Sequence, residues 1–348
     1  MLADNARRFG LLVATTFAGI FAIPSCGTTA MKTIDAKGSD DAGVVTADTG
    51  ADTAVLGRDS ASGASVLASG QGQPCQILAI AGTLYWTDYS SGALMALGPA
   101  GGEPTRLLSL KIACSIAADS TNLYVTGMDS TDRNSVMQVP LAGGTTKELY
   151  HSQTTSVTLH GGALACDGTY VYWAQGPYIR KIAIADGTAT NLVTSGVPCV
   201  LAIDDTNVYY TDDIAVAVMV VPKSGGAAVT LFQGQIGAYG IAVNSGYVIF
   251  ANYDQKSVMR VPFAGGTAET LASGVLTVTS FAIGAANLYW TDQLANTVSK
   301  VTLAGGVPTT IAEHQSQPVS VAVDSTNVYW ANQGSIGKAT GSIAMASK

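Results

Sequence analysis

Cysteine is the residue type in this chain with the clearest potential for chemistry. The sequence contains five cysteines, and Cys75, Cys114 and Cys199 each lie nine residues before the next short aromatic run. Equivalent positions in neighbouring repeats lie side by side when the repeats pack. In an oxidising compartment such thiols pair, so we predict a Cys75–Cys114 disulfide and a second one between Cys166 and Cys199. Four cysteines permit three connectivities, so other pairings stay open, and a metal-binding cysteine cluster is the less favoured alternative.

Acidic and amide side chains form a second periodic set. One of them lies two residues after the third position of six aromatic runs: Asp88, Gln175, Asp212, Asn252, Asp292 and Asn332. A calcium-type site would need several of these oxygens at about 2.3–2.6 Å from one ion. Hydrogen bonding between and within the repeats needs no such convergence. We therefore predict a structural role for this set, and no metal.

Sequence signatures of catalysis are weak. None of His151, His160 and His314 has the spacing to a second ligand that metal motifs show. The sequence has neither a Gly-x-Ser-x-Gly nucleophile motif nor a glycine-rich phosphate loop. We predict no catalytic residues and no cofactor from these patterns.

The tryptophans share one position. All four occupy the third place of an aromatic run: Trp86, Trp173, Trp290 and Trp330. A platform that stacks on sugars is conceivable for such a set. However, other copies place Val125, Tyr210 or Phe250 there, and packing tolerates such exchanges better than a ligand platform does. We predict that these rings pack between repeats.

The aromatic runs mark a repeat with a period of about 40 residues. Seven runs recur: Leu84-Tyr85-Trp86, Leu123-Tyr124-Val125, Val171-Tyr172-Trp173, Val208-Tyr209-Tyr210, Val248-Ile249-Phe250, Leu288-Tyr289-Trp290 and Val328-Tyr329-Trp330. An apolar strand and, in several copies, an Asp-x-Thr-Asn turn precede the run, because Asp and Asn bond their own backbone in turns. A third strand, a glycine-pair hairpin and a fourth strand follow, because Gly-Gly supplies the positive φ of tight hairpins.

Four antiparallel strands in each of seven copies predict an all-β, seven-bladed β-propeller. Its first strands would line a central channel. Residues 65–70 resemble the fourth strand at 269–274, so we predict that this N-terminal strand closes the last blade by pairing with a third strand at 335–340. In the rival interpretation, residues 343–345 form a fourth strand of their own. Six blades with one aberrant copy is the other alternative.

The repeats resemble a known family. Tyr85-Trp86-Thr87-Asp88 and Tyr289-Trp290-Thr291-Asp292 match the YWTD signature of propellers of the LDL-receptor class B type, and Tyr209-Tyr210-Thr211-Asp212 is close to it. The chain also resembles the TolB-like propellers of bacterial envelope proteins. The resemblance covers about residues 64–348 and implies a fold rather than a function. The animal family has six blades, and the seven copies here depart from it.

The N-terminal segment carries export features. Arg7 and Arg8 precede an apolar run at 11–23, which is shorter than the roughly 20 residues of a bilayer span. It predicts a signal peptide at 1–25. Cys26 then resembles the cysteine of a bacterial lipobox, which implies lipidation, with an ordinary cleaved signal as the alternative. Residues 26–63 are rich in Asp, Ala and Thr and predict a disordered tether, followed by the propeller at 64–348.

Composition limits the partners. Charged residues are 12% of the chain and the net charge is −7, whereas a nucleic-acid partner favours a basic face. We predict a monomeric, non-catalytic binding or scaffold lipoprotein of the bacterial envelope, at the outer membrane or cell surface, with a periplasmic or secreted protein as the alternative. Its partner would be an envelope protein, a peptide or a glycan, and the lipid would be its one contact with a membrane. A propeller lyase or hydrolase with a metal ion over the channel is the alternative function.

The predicted binding face follows from the topology. Loops that join second to third strands, and fourth strands to the next first strand, lie on one face of a propeller. The candidate residues on that face are Asp88, Tyr89, Gln175, Tyr178, Asp212, Asp213, Tyr253, Asp254, Asp292 and Gln293.

Overall fold

The computed structural model describes residues 64–99, 101–152, 163–234 and 239–348. The predicted signal peptide, Cys26, the tether and His160 lie outside the described residues. Within those ranges there is no helix of the length and hydropathy that a membrane span requires. The described chain forms strands that are joined by short loops.

Twenty-eight strands, β1 to β28 in chain order, form seven four-stranded antiparallel sheets. The N-terminal strand is β1 (Ser65–Gln71). Blade 1 comprises β2 (Pro74–Ile80), β3 (Thr83–Asp88), β4 (Ala93–Leu97) and β5 (Thr105–Ser109). Blade 2 comprises β6 (Ile112–Ala118), β7 (Asn122–Met128), β8 (Asn134–Pro140) and β9 (Lys147–His151). Blade 3 comprises β10 (Leu164–Cys166), β11 (Tyr170–Gln175), β12 (Tyr178–Ala183) and β13 (Ala189–Val193).

The remaining blades repeat this order. Blade 4 comprises β14 (Pro198–Ile203), β15 (Asn207–Asp212), β16 (Ala217–Pro222) and β17 (Val229–Gln233). Blade 5 comprises β18 (Ile241–Asn244), β19 (Tyr247–Asn252), β20 (Ser257–Pro262) and β21 (Glu269–Ser273). Blade 6 comprises β22 (Val278–Ile283), β23 (Asn287–Asp292), β24 (Thr297–Thr302) and β25 (Thr309–Ala312). Blade 7 comprises β26 (Pro318–Val323), β27 (Asn327–Asn332) and β28 (Gly341–Ser347). The predicted seven-bladed propeller is confirmed.

The last blade differs from the prediction in its third strand. The sheet order is β1-β28-β27-β26, and Ser65 and Val66 pair with Met345 and Ala344. The predicted third strand at 335–340 is wrong, because those residues form the loop between β27 and β28. The rival fourth strand at 343–345 is wrong as well, since these residues lie within β28, the third strand. The fourth position is occupied by β1.

The aromatic runs form the second strand of each blade and bury their side chains at the seams between blades. Trp290 of blade 6 packs in a cluster with Ile249 and Leu271 of blade 5. The four tryptophans are at most 2% exposed, which leaves no face for a sugar. The predicted packing role of the tryptophan position is therefore confirmed.

The turns between first and second strands follow the predicted chemistry and add a contact. Oδ1 of Asp324 accepts hydrogen bonds of 2.7 Å from the amides of Thr326 and Asn327. Its Oδ2 accepts one of 2.7 Å from the hydroxyl of Tyr329. Asp119, Asp167 and Asp204 accept the same bond from the tyrosine five residues later. Each of these turns is thereby fixed to its own second strand.

Candidate functional site

Bulges in the first strands position the side chains that line the central channel. In β2 the pairing register shifts between Pro74 and Ile77, and β6 and β14 have the same irregularity near Cys114 and Cys199. A bulge leaves extra residues unpaired and changes the direction of their side chains. The repeated bulge therefore explains why cysteines at matching positions reach one channel.

The channel contains a cavity of about 160 Å³. Its wall includes residues of all seven blades: Cys75, Gln76, Cys114, Ser115, Ala163, Cys199, Val200, Tyr239, Thr279, Ser280, Val319, Ser320 and Gln333. Thiols, hydroxyls and side-chain amides supply its polar atoms, between small apolar groups. Such a wall donates and accepts hydrogen bonds, so the cavity can receive a small polar group of a ligand.

Side-chain hydrogen bonds between neighbouring blades hold this wall. Oε1 of Gln76 accepts a hydrogen bond of 2.8 Å from the amide of Ile116 in blade 2. Ser320 of blade 7 accepts one from the amide of Ile77, and Ser280 of blade 6 accepts one from Val321. The bulged residues therefore join adjacent first strands, and the channel is preorganised for whatever it binds.

No disulfide bond joins any of the four described cysteines, so neither predicted disulfide is present. Cys75, Cys114 and Cys199 do line one cavity, as their matching positions suggested. Cys166 is at a different level of its blade. In the strand pairing it lies opposite Val171, near the start of the second strand, β11. It lies about four strand residues, or about 13 Å, from the level of Cys199. Disulfides join Cα atoms that are usually less than about 7 Å apart, so the predicted Cys166–Cys199 pair is wrong.

The cavity wall is uncharged near blade 1. Burial raises the pKa of the Cys75 thiol well above its usual value, and the nearby Cys114 and Asp88 raise it further. Burial also raises the pKa of Tyr89 at the rim, and the thiols of Cys114 and Cys75 raise it further. These groups are therefore protonated at neutral pH, and the Cys75 thiol donates a hydrogen bond to the carbonyl of Gln73.

Five of the ten predicted binding-face residues are buried: Asp88, Gln175, Asp212, Asp292 and Gln293. Asp292 accepts hydrogen bonds from the amides of Leu276 and Thr277 in the incoming loop, and from Ala295 in its own turn. Asp212 holds the amides of Val197 and Ile214 in the same way. The carboxylates of Asp212 and Asp292 are occupied by backbone amides, and all five residues are buried, so they offer little surface to a ligand.

The other five candidates remain accessible on that face. Asp213 and Asp254 are exposed, and Tyr89, Tyr178 and Tyr253 are half-buried. Although the residue as a whole is exposed, partial burial of the Asp213 carboxyl raises its pKa, and a hydrogen bond from the Cys199 thiol opposes the shift. Asp213 thus connects the rim of the face to the channel.

Sequence reasoning missed the aliphatic residues of the same face. Ile214, Leu294 and Ile336 lie in loops between second and third strands, and Leu276 lies in the loop from blade 5 to blade 6. They are 37–71% exposed, whereas loops of this kind are usually polar. The signal was present in the sequence, because two of the YWTD-like motifs have an aliphatic residue two positions after their final Asp. These residues are Ile214 and Leu294. We name Tyr89, Ile214, Tyr253, Leu276, Leu294 and Ile336 the aliphatic–tyrosine face.

Metal-binding potential follows from the same geometry. Among the residues that the structure describes, no three or more His, Cys, Asp or Glu side chains converge as metal ligands would. His151 lies at the end of the outermost strand of blade 2, where Glu148 is 2.6 Å from its Nδ1. His314 lies in the loop between blades 6 and 7.

Comparison with known proteins places the fold. No family model matches the chain, and no curated protein matches it. A streptogramin B lyase structure superposes with a TM-score of 0.66 at 14% identity, covering 81% of this chain and 96% of that one. Virginiamycin B lyase from Staphylococcus aureus is also similar, in a catalytically inactive histidine-to-alanine variant solved with quinupristin. Its TM-score is 0.65 at 15% identity, covering 79% of this chain and 94% of that one.

A nidogen/laminin complex is also similar, with a TM-score of 0.51 at 19% identity, covering 64% of this chain and 89% of that chain. The chain shares the propeller fold with these proteins. At such identities the likeness concerns the fold alone, because one propeller architecture serves many activities.

Proposed function

We propose that the chain is a non-catalytic binding or scaffold protein that recognises an envelope protein, a peptide or a glycan on its aliphatic–tyrosine face. The main support for this proposal is the distribution of exposed aliphatic residues. Four of the six large exposed ones in the described residues lie on this face, and the other two are Val229 and Val307. Exposed apolar groups beside tyrosines favour recognition of a partner. The nidogen/laminin complex is an example of a similar propeller in a protein complex.

Substitutions on the two faces test this function. A variant with Ile214→Ser, Leu276→Ser and Leu294→Ser should lose retention of envelope proteins or glycans by at least tenfold, since these side chains supply apolar contact area. The matched control carries Val229→Ser and Val307→Ser, which are also exposed but lie at or beside the hairpins of the opposite face. Retention is measured on immobilised protein against a labelled envelope fraction and a glycan array. Equal retention by both variants would contradict the proposal.

The location is part of the same proposal. Cys26 after an apolar run supports lipidation and attachment to a bacterial membrane, with residues 27–63 as a spacer. Replacing Cys26 with Ala should move the protein from the membrane pellet to the soluble fraction, because a cysteine thioether is the attachment point of the lipid. If the variant still sediments with membranes after a high-salt wash, the anchor lies elsewhere.

A lyase or hydrolase is the second candidate, because the structurally similar propellers include lyases. That likeness rests on the fold. In this chain the cavity wall offers thiols, hydroxyls and amides, which are suited to hydrogen bonding. Turnover of quinupristin or of a glycan that is lost on chelation of divalent ions would favour the enzyme over the binding protein.

A further inference from the structure

We propose that Cys75 and Cys114 form a reversible thiol–disulfide site at the seam between blades 1 and 2, on the wall of the channel. The inference goes beyond the proposed binding function and does not depend on any ligand. It concerns a modification that an exported protein would meet on entering an oxidising compartment.

The first support is position. Both thiols belong to the bulge of a first strand, both line the same cavity, and blades 1 and 2 are neighbours. Two hydrogen bonds cross the seam beside them. The amide of Ile116 donates to Gln76 at 2.8 Å, and the hydroxyl of Thr87 donates to the carbonyl of Cys114 at 2.5 Å. The side chain of Gln76, which follows Cys75, and the carbonyl of Cys114 itself are therefore held by hydrogen bonds across the seam.

The second support is the difference from the other two thiols. Cys199 lines the same cavity but belongs to blade 4, so blade 3 separates it from Cys114. Cys166 lies at the other end of its first strand, beside the turn that begins with Asp167. Among the described cysteines, only Cys75 and Cys114 lie both in adjacent blades and at the same level along their first strands.

The third support is access. Cys75 is partly exposed, whereas Cys114 is 7% exposed, and the cavity opens beside both. A small disulfide reagent therefore reaches Cys75 first, and Cys114 is placed to act as the resolving thiol. Asp88 and Tyr89 are titratable groups that interact with the pair. Burial, the Cys114 thiol and Asp88 raise the pKa of Cys75, although a hydrogen bond with the Tyr89 backbone opposes them. The thiolate is therefore disfavoured, so oxidation should be slow at neutral pH and faster in mild alkali.

The chemistry is thiol–disulfide exchange with a low-molecular-weight disulfide as oxidant. The Cys75 thiolate attacks one sulfur of the reagent, which forms a mixed disulfide and releases one reagent thiolate. The Cys114 thiolate then attacks the Cys75 sulfur and releases the second. Two cysteine protons are transferred to the two released thiolates, the reagent disulfide is reduced, and one intramolecular disulfide is formed.

The test uses the full chain with Cys26→Ala, in reduced form, so that the four described cysteines are the thiols present. After incubation with oxidised glutathione at pH 8, alkylation and intact-mass measurement should show two thiols instead of four. Peptide mapping should find Cys75 joined to Cys114, and dithiothreitol should restore four thiols.

Single serine variants separate the assignments. Cys166→Ser and Cys199→Ser should still lose two thiols, whereas Cys114→Ser should retain a glutathione adduct on Cys75. Thermal melting of each variant in the reduced state checks that it folds like the parent. A different mapped pair would overturn the proposal. So would four remaining thiols under conditions in which a small maleimide labels Cys75, because access would then be proved without pairing.

Discussion

At the scale of single residues, the aspartates that open the first turns connect local sequence to the pH dependence of folding. Partial burial favours protonation of Asp324, but hydrogen bonds from Tyr329, Asn327 and Thr326 outweigh it and lower its pKa to about 2. Partial burial of Asp167 is likewise outweighed by hydrogen bonds, from Lys223 first and then from Tyr170 and Tyr172, which lower its pKa to about 2. In the unfolded chain these groups return to ordinary values near 3.8.

A depressed pKa in the folded state gives the direction of the effect. The stabilisation is fully present above the unfolded value and is lost as the pH falls through the folded value. We therefore expect the free energy of unfolding to be steady above about pH 5 and to fall between about pH 4 and pH 2. Asp324→Asn should lower the free energy of unfolding at pH 7. It should also make that free energy less dependent on pH between about pH 4 and pH 2.

Urea unfolding at pH 7, 4 and 2.5 measures both quantities for the parent and for Asp324→Asn. Tyr329→Phe is the matched variant, because it removes one donor and leaves the two backbone amides. Its slope should lie between those of the parent and Asp324→Asn. Identical acid slopes for the parent and Asp324→Asn would show that this carboxylate does not contribute to the linkage.

At the scale of elements, the end of each second strand organises two loops. Asp292 ends β23, and its carboxylate binds amides of the loop that enters blade 6 and of the turn that leaves β23. The predicted role of this position in hydrogen bonding therefore agrees with the observed contacts. These loops also present Leu276 and Leu294 to solvent, so the buried carboxylate positions part of the aliphatic–tyrosine face.

Replacing Asp292 with Ala should reduce the free energy of unfolding by about 3 kcal/mol, because three amide donors lose a charged acceptor. The exposed Asp254 in the corresponding loop of blade 5 is the control, and Asp254→Ala should change stability by less than about 0.5 kcal/mol. Chemical denaturation of the three proteins provides the comparison. Equal stabilities would indicate that the loops hold their conformation without the carboxylate.

At the scale of the whole molecule, the two ends of the described chain meet in one sheet. β1 forms the outer edge of blade 7 through its pairing with β28, and Ala68 packs with Ile77, Trp86 and Ile343 at the seam to blade 1. Pairing covers the edge of β28, which would otherwise offer unpaired backbone groups to another chain. We expect this strand to stabilise the ring as a unit.

Two truncations test that expectation. Deleting residues 27–60 should leave the melting temperature nearly unchanged, since β1 begins at Ser65. Deleting residues 27–70 should cause a large loss of stability or aggregation, because the edge of β28 and part of the seam become exposed. Differential scanning calorimetry and size-exclusion chromatography report both effects. Similar melting of the two truncated proteins would mean that β1 adds no stability to the ring.

The sequence by itself determined the architecture of this protein. The aromatic runs, the Asp-x-Thr-Asn turns and the glycine-pair hairpins are local signals that recur with one period, and a propeller is built from units that fold by local pairing. This is why seven blades, the packing of Trp290 and its equivalents, and the shared channel position of Cys75, Cys114 and Cys199 could be predicted.

Only the tertiary structure decided how individual side chains are used. Asp292 and Asp254 were both candidates for the binding face, but the incoming loop buries Asp292 and leaves Asp254 in solvent. The third strand of blade 7 has mostly small residues around Ile343 and Met345, so its strand pattern was weaker than that of the loop before it. The first-strand bulges arise from pairing between strands, which has no single-residue signature. They determine the direction of the channel side chains, and therefore which thiols can meet.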